Sequence, residues 1–140
     1  MNREIKFRGK SKQDNVFVYG SYVRYNDSRN NPFKNNYKET HQILAYFPGD
    51  WNMGGYEFVD VYPDTVGQYT CLKDENGVEI YEGDIVKDGR GRMGVVEWCS
   101  FRLQFVFDDY SVGGTNELYG LCVIGNIHDN PELLNKEEPK

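Results

Sequence analysis

The chain is poor in the residues from which reaction centres are usually built. Its three cysteines, Cys71, Cys99 and Cys122, are an odd number with no close pair. That excludes a full disulfide framework and a zinc ribbon, and points to reduced thiols in a cytoplasm. The two histidines, His41 and His128, are isolated, the pattern of solvated or hydrogen-bonded bystanders. No window is apolar for long enough to span a bilayer, and residues 1–6 lack the apolar run of a signal peptide, so neither secretion nor membrane insertion is expected. An excess of positive charge is missing as well. The formal net charge is -6, which opposes the counterion release that drives most binding to nucleic acid.

What is present is aromatic residues and glycine: Tyr 11, Phe 8 and Gly 15 in 140 residues, a mixture suited to pleated strands joined by tight turns. The length fits a single domain over residues 1–136 with a disordered tail at 137–140. Two sub-lobes are expected, an N-terminal β region at 1–63 and a barrel-like β region at 64–130. Charge is polarised along the chain: residues 1–40 sum to +5 and residues 41–140 to -11. A basic N-terminal arm that docks on an acidic surface of a neighbouring copy or another partner is one reading of this asymmetry, and chance with solubility is the other.

Alternation around Ile5 and Phe7 and through Val16-Phe17-Val18-Tyr19 predicts an opening hairpin. Residues 26–40 are Asn-rich and almost free of aliphatics, too polar to offset their own ordering, and read as a mobile surface loop. Strands follow at residues 43–47 and 56–61, with turns around Trp51. Asn76-Gly77, between Leu72 and Val78-Glu79-Ile80, marks a hairpin that needs positive φ. Gly83-Asp84-Ile85-Val86, the glycine-rich turn at 89–94 and Gly94-Val95-Val96 have the spacing of a small SH3-like barrel. Phe101, Leu103, Phe105 and Phe107 alternate along a further strand, and residues 118–124 supply the closing one. Asn130-Pro131-Glu132 has the order of cap, first-position proline and early acid, which predicts a short C-terminal helix. The fold class is therefore mainly β: an SH3-like barrel in the C-terminal half packed with an N-terminal hairpin and sheet region.

Candidate chemistry is sparse. Glu82 and Asp84, with Asp74 upstream and Asp108-Asp109 downstream, are raw material for a divalent-metal site or an acid/base pair, and a metal-dependent hydrolase using Glu82, Asp84 and Asp108 follows from them. The competing reading makes Asp84 a turn-capping acid and Glu82 a solvated one. Cys71 has no neighbouring base and reads as a partly buried thiol. The run at 89–94 lacks the Lys-Ser/Thr ending of a phosphate loop, so Arg90 and Arg92 sit on a hairpin tip. With Arg3, Lys6, Arg8, Lys10 and Lys12 they compose a basic strip edged by Tyr19, Tyr22 and Tyr25, the raw material of a single-strand surface. No cofactor is implied.

Several segments together resemble the YopX family of phage and prophage proteins. They are Arg3-Glu4-Ile5-Lys6-Phe7-Arg8-Gly9-Lys10; Thr65-Val66-Gly67-Gln68-Tyr69-Thr70 with Leu72-Lys73-Asp74 and Asn76-Gly77; Ile80-Tyr81-Glu82-Gly83-Asp84-Ile85-Val86; and Ile124-Gly125-Asn126-Ile127 before Asn130-Pro131-Glu132-Leu133-Leu134. The resemblance covers almost the whole chain and implies a β-rich fold, a bacterial cytoplasmic setting and assembly into homo-oligomers. It brings no established biochemical activity with it. Tyr69, Thr70, Asp74, Asn76, Gly77, Glu82, Gly83 and Asp84 then form a candidate signature surface. Cys71 departs from the pattern, which usually has glycine there, and this argues against a positive-φ backbone at that position. A non-enzymatic, self-assembling module that binds a host or phage macromolecule is the resulting expectation.

Overall fold

A computed structural model describes residues 3–27, 38–49, 51, 53–108, 110–111 and 120–134. The chain divides into two compact units, Ile5–Gln68 and Tyr69–Lys140 with Met1–Glu4. Both are built from antiparallel strands, and the described helical content is short 3-10 turns.

The first unit contains β1 (Phe7–Lys10), β2 (Phe17–Asp27), β3 (Lys38–Phe47), β4 (Gly55–Asp60), a 3-10 turn at Pro63–Thr65 and the start of β5 (Gly67–Lys73), in the order β4-β3-β2-β1-β5. The expected opening hairpin is β1 with β2, paired from Phe7↔Gly20 to Lys10↔Phe17. One face of the sheet carries the core: Ile43, Ala45 and Val61 are buried, with Phe7, Val18, Tyr22 and Val66 packed on them. The sheet curls around this core until its borders meet. Ser11 bridges Val61, Lys12 N–H donates to Asp60 O at 2.9 Å, and Tyr62 N–H donates to Lys10 O at 3.0 Å. Thr65 fastens the joint, accepting Lys10 N–H at 2.8 Å and donating to Tyr62 O at 2.6 Å.

The expected loop at 26–40 is shorter at both ends than its composition indicates. β2 runs to Asp27 and β3 starts at Lys38, with pairs from Arg24↔His41 to Asp27↔Lys38; residues 28–37 lie outside the described set. Cross-strand pairing sustains these polar strand ends, because Arg24 is ion-paired to Glu39 and Tyr25 donates to Gln42 Oε1 at 3.2 Å.

The second unit holds the remainder of β5, β6 (Glu79–Tyr81), β7 (Asp84–Lys87), β8 (Met93–Cys99), β9 (Gln104–Phe107), β10 (Tyr110–Ser111) and β11 (Cys122–Asn126). Its core is Ile80, Val86, Val96, Phe107 and Leu121, with Leu72, Phe105 and Val123 against it. Each of these five fully buried side chains contributes about 1.5–3 kcal/mol. The hairpin at Asn76-Gly77 is present, with Lys73 facing Glu79.

Three expectations change here. The strands do not close into an SH3-like barrel among the described residues: their order is β10-β9-β8-β7-β11, because β11 pairs with β7, which leaves β10 and β11 at opposite ends. The C-terminal α-helix is a single 3-10 turn, Pro131–Leu134, held by the Leu133 N–H donating to Asn130 O at 3.1 Å; the tail at 137–140 is outside the described residues. Phe101 and Leu103 belong to no strand. Cys99 faces Gln104, so residues 100–103 form the connection, Leu103 takes a left-handed backbone (φ 54), and both side chains are exposed. Alternation over seven residues therefore misled, because half of it spans a turn.

Cys71 also differs from expectation. It keeps the positive backbone (φ 70) despite its side chain, inside the irregularity that shifts the β5–β6 register between Tyr69 and Lys73. The bulge, rather than the residue type, sets the geometry, and the half-buried Sγ donates to Glu4 O at 3.1 Å. A left-handed backbone costs an L-residue about 1–2 kcal/mol, and branching at Cβ aggravates it. Cys71 already carries that cost, so Cys71→Val is expected to destabilise in urea unfolding through the added branching alone, whereas Cys71→Gly relieves about 1–2 kcal/mol and gives up the Sγ bond to Glu4, leaving stability near that of the parent.

Candidate functional site

Two hairpin tips of the second unit share one design, the first built on the signature residues Asp74, Asn76 and Gly77 and the second on Asp88, which lies outside the signature. Asp74 N–H donates to Val78 O at 2.8 Å, and Gly77 N–H donates to Asp74 O at 3.0 Å. The Asp74 carboxylate accepts Asn76 N–H at 2.8 Å and Val78 N–H at 2.9 Å through Oδ1, and Val123 N–H of β11 at 2.9 Å through Oδ2. Asp88 repeats the scheme. Its N–H donates to Arg92 O at 2.9 Å and its O accepts Gly91 N–H at 3.0 Å, while Oδ1 accepts Arg90 N–H at 3.0 Å and Arg92 N–H at 2.9 Å. Gly77 (φ 81) and Gly91 (φ 85) occupy the left-handed position that ends each tip. An aspartate three residues before a glycine is common to both, although the same spacing at Asp64 and Gly67 belongs to a 3-10 turn and the start of β5.

Both carboxylates are buried. Burial opposes ionisation of Asp88, yet the Arg92 N–H and guanidinium (Nε to Oδ2 2.6 Å) and the Arg90 N–H more than offset it and hold this carboxyl below its ordinary range. Arg92 is therefore committed to Asp88, and Arg90 is the exposed arginine of the tip.

Glu82, Gly83 and Asp84 form the joint between β6 and β7. Asp84 Oδ2 accepts Tyr81 N–H at 2.7 Å. Gly83 (φ 89) donates to Val96 O at 2.8 Å and accepts from Ile127 N–H at 2.9 Å. Tyr69 and Tyr81 are a buried cross-strand pair with ring centroids 5.3 Å apart, and Thr70 Oγ1 donates to Ile80 O at 2.8 Å. The signature is thus mostly interior: Tyr69, Thr70, Asp74, Gly83 and Asp84 are buried, Glu82 is half-buried, and Asn76 and Gly77 are the exposed members.

For the hydrolase reading, Asp84 is occupied by the turn and Asp108 is exposed on a left-handed backbone (φ 45); Asp109 lies outside the described residues. Among the described residues no three His, Cys, Asp or Glu side chains group as metal ligands. Cys122 Sγ donates to Glu75 Oε1 at 2.8 Å; that bond, together with burial, pushes its thiol up, which suits a structural thiol rather than a nucleophile.

In the first unit the geometry assembles a group that the sequence does not advertise. Tyr22 Oη is hydrogen-bonded to His41 Nδ1 with the two rings stacked at 13°, His41 Nε2 lies 3.7 Å from Glu39 Oε1, and Glu39 is held by Arg24. Burial pushes the Tyr22 phenol up, Arg24 pulls it back, and Glu39 pushes it up again. The arrangement ties β2 to β3 and explains His41 as a cross-strand partner.

The basic residues divide between the units. Arg8 and Lys10 of β1 are buried, both over the Phe17 ring at 4.4 and 5.1 Å, and Lys10 Nζ donates to Asn15 O at 3.4 Å. Lys6 is half-buried in the same unit, while Arg3 and Arg90 are exposed in the other. What the first unit does expose is aromatic. The register places Tyr19, Tyr25, Tyr46, Tyr56 and Phe58 on the sheet face opposite the core, and Tyr56 is 71 % and Phe58 59 % accessible. Alternation along β2, β3 and β4 contained this information, but from sequence alone either face can be taken for the inner one.

The geometry defines a two-unit, all-antiparallel β protein whose signature acids serve turns, with an aromatic outer sheet face. The YopX protein family model matches residues 6–135, and the chain belongs to that family. The chain is also similar to a crystal structure of protein EF1440 from Enterococcus faecalis, at 27% identity and a TM-score of 0.55, covering 94% of this chain and 98% of that one. Comparison with curated proteins returns no match. Among the described residues no helix is long and apolar enough to cross a membrane.

Hydrogen bonds to a charged acceptor are worth about 1.5–3 kcal/mol each, and Asp74 accepts three. Asp74→Ala is expected to lower the unfolding free energy by about 3 kcal/mol or more in urea melts, exceeding the loss for Glu75→Ala. Because the folded-state pKa of Asp88 is depressed, its contribution is present above the unfolded value of about 3.9 and fades as pH falls through the folded value. Urea midpoints measured from pH 6 down to pH 2 should decline more gently on the acid side for Asp88→Asn than for the parent, from a lower starting point at neutral pH.

Proposed function

We propose that the protein is a non-enzymatic binding module that self-associates and engages a host or phage macromolecule, as an accessory protein of a phage or prophage acting in the bacterial cytoplasm. The observation that carries this reading is the exposed aromatic face of the first unit, Tyr19, Tyr25, Tyr46, Tyr56 and Phe58. Large aromatic side chains held on a rigid sheet offer contact area at little cost in conformational entropy, the composition favoured at protein interfaces. Of the three acids of the hydrolase reading, Glu82, Asp84 and Asp108, Asp84 is engaged by a backbone donor at its turn, as the buried Asp74 and Asp88 are at theirs. Trp51 and Met53, exposed between β3 and β4, extend the apolar surface.

Size-exclusion chromatography with light scattering tests the self-association half of this reading. The expected result is a mass above that of one chain at high micromolar concentration, falling on dilution; a monomer throughout that range refutes it.

The second reading is single-stranded nucleic-acid binding, favoured by exposed Arg90 at a hairpin tip of the second unit. It requires affinity that falls steeply with salt, by about 0.7 in the logarithmic slope for each phosphate neutralised. Arg90→Glu should weaken any gel shift and flatten that slope. An absent shift at low salt ends this reading and leaves the first intact.

A further inference from the structure

β4 ends the strand order of the first unit, and its pairing with β3 decides which of its backbone groups are already used. Val61 N–H donates to His41 O at 3.0 Å, and the register continues through Gln42↔Asp60, Ile43↔Val59, Leu44↔Phe58, Ala45↔Glu57 and Tyr46↔Tyr56. Hydrogen-bonded and non-hydrogen-bonded pairs alternate along an antiparallel ladder. Glu57 and Val59 therefore turn their N–H and C=O toward β3, while Tyr56, Phe58 and Asp60 turn theirs to the opposite edge. Asp60 O is taken there by Lys12 N–H at 2.9 Å. The edge groups of Tyr56 and Phe58 meet no partner among the described residues. An open cleft of about 390 Å3 lies beside them, between residues 11–13 and 57–60. No proline or lysine blunts the strand from Gly55 to Asp60.

We propose that this edge pairs with the same edge of a second copy, antiparallel about a two-fold axis through Tyr56. The inference rests on the self-association reading above and names its surface. Charge and occupancy select both the occupant and the register. A two-fold axis at Glu57 would set that carboxylate directly opposite its own copy at the close spacing of a non-hydrogen-bonded pair, where like charges repel. An axis at Phe58 would require the Asp60 carbonyl that Lys12 already holds. An axis at Tyr56 avoids both. Glu57 then faces the other copy's Gly55, and the two Tyr56 residues exchange N–H···O bonds. The Tyr46–Tyr56 pair, with ring centroids 5.3 Å apart, continues across the seam as a row of four tyrosines. The contact is isologous, so it closes at two copies.

Tyr56→Pro tests this selectively. The variant removes an outward N–H while every bond to β3 remains, since Tyr56 and Tyr46 are a non-hydrogen-bonded pair. Sedimentation equilibrium should show the dimer dissociation constant raised on the order of tenfold or more, with circular dichroism and thermal midpoint near those of the parent. Tyr56→Cys gives a second readout should the proline variant misfold. Hydrogen-bonded pairs hold their Cα atoms about 5.5 Å apart, within disulfide range. Mild oxidation should therefore produce a covalent dimer through residue 56 faster than in the parent or in Glu57→Cys.

Unchanged association of a folded Tyr56→Pro variant, or no preferential cross-link at 56, overturns the edge assignment and leaves self-association standing. A parent that remains monomeric at high micromolar concentration overturns both.

Discussion

The second unit depends on one constraint: a carboxylate removed from water must find donors for its oxygens. Asp74, Asp84 and Asp88 are all buried, and each meets the requirement with backbone N–H groups at a turn. The need runs in both directions, because the turns expose N–H groups that the strand ladders cannot reach. Asp74 goes furthest. Its second oxygen reaches Val123 of β11, so a carboxylate four residues from its own hairpin partner also fixes a strand 49 residues away. The five-residue core around Ile80 and Phe107 is enclosed by strands whose ends these acids hold.

The first unit meets a different demand. Its sheet curls until Lys10–Lys12 backbone groups join those of Asp60 and Tyr62, enclosing Ile43, Ala45 and Val61 on the inner side. Its outer face carries the exposed Tyr19, Tyr25, Tyr46, Tyr56 and Phe58, and by register the buried Arg8 and Lys10 lie on that same face, over the Phe17 ring. Toward its far end the β2–β3 ladder is laced by polar contacts, Tyr22 with His41 at the border of the core and Arg24 with Glu39 beyond it.

Local chemistry was legible in the sequence wherever it acts over a few residues. Asn76-Gly77 turned where expected, the opening hairpin formed, and the motif ending in Asp84 led into a strand as its spacing indicated. What failed depended on partners distant in the chain. Residues 24–27 and 38–40 look too polar for strands until each is seen to have the other as its mate. The periodicity from Phe101 to Phe107 contains no mark of the turn at Leu103. Cys71 was judged by its own side chain, although a bulge set by Tyr69 and Lys73 imposes its backbone. The interiors of Arg8 and Lys10 were hidden for the same reason: their charge was visible, but not the Phe17 ring that covers them.

A family signature made of turn anchors has a consequence for where function resides. An aspartate whose oxygens are engaged by two or three backbone donors keeps only one or two of its roughly four lone-pair sites, so full engagement of a metal or a partner's arginine would cost it bonds of its turn. Residues so used specify a fold and leave its chemistry open. The large apolar side chains left exposed outside every signature segment include Tyr46, Tyr56 and Phe58 of the first unit and Phe101 and Leu103 of the second.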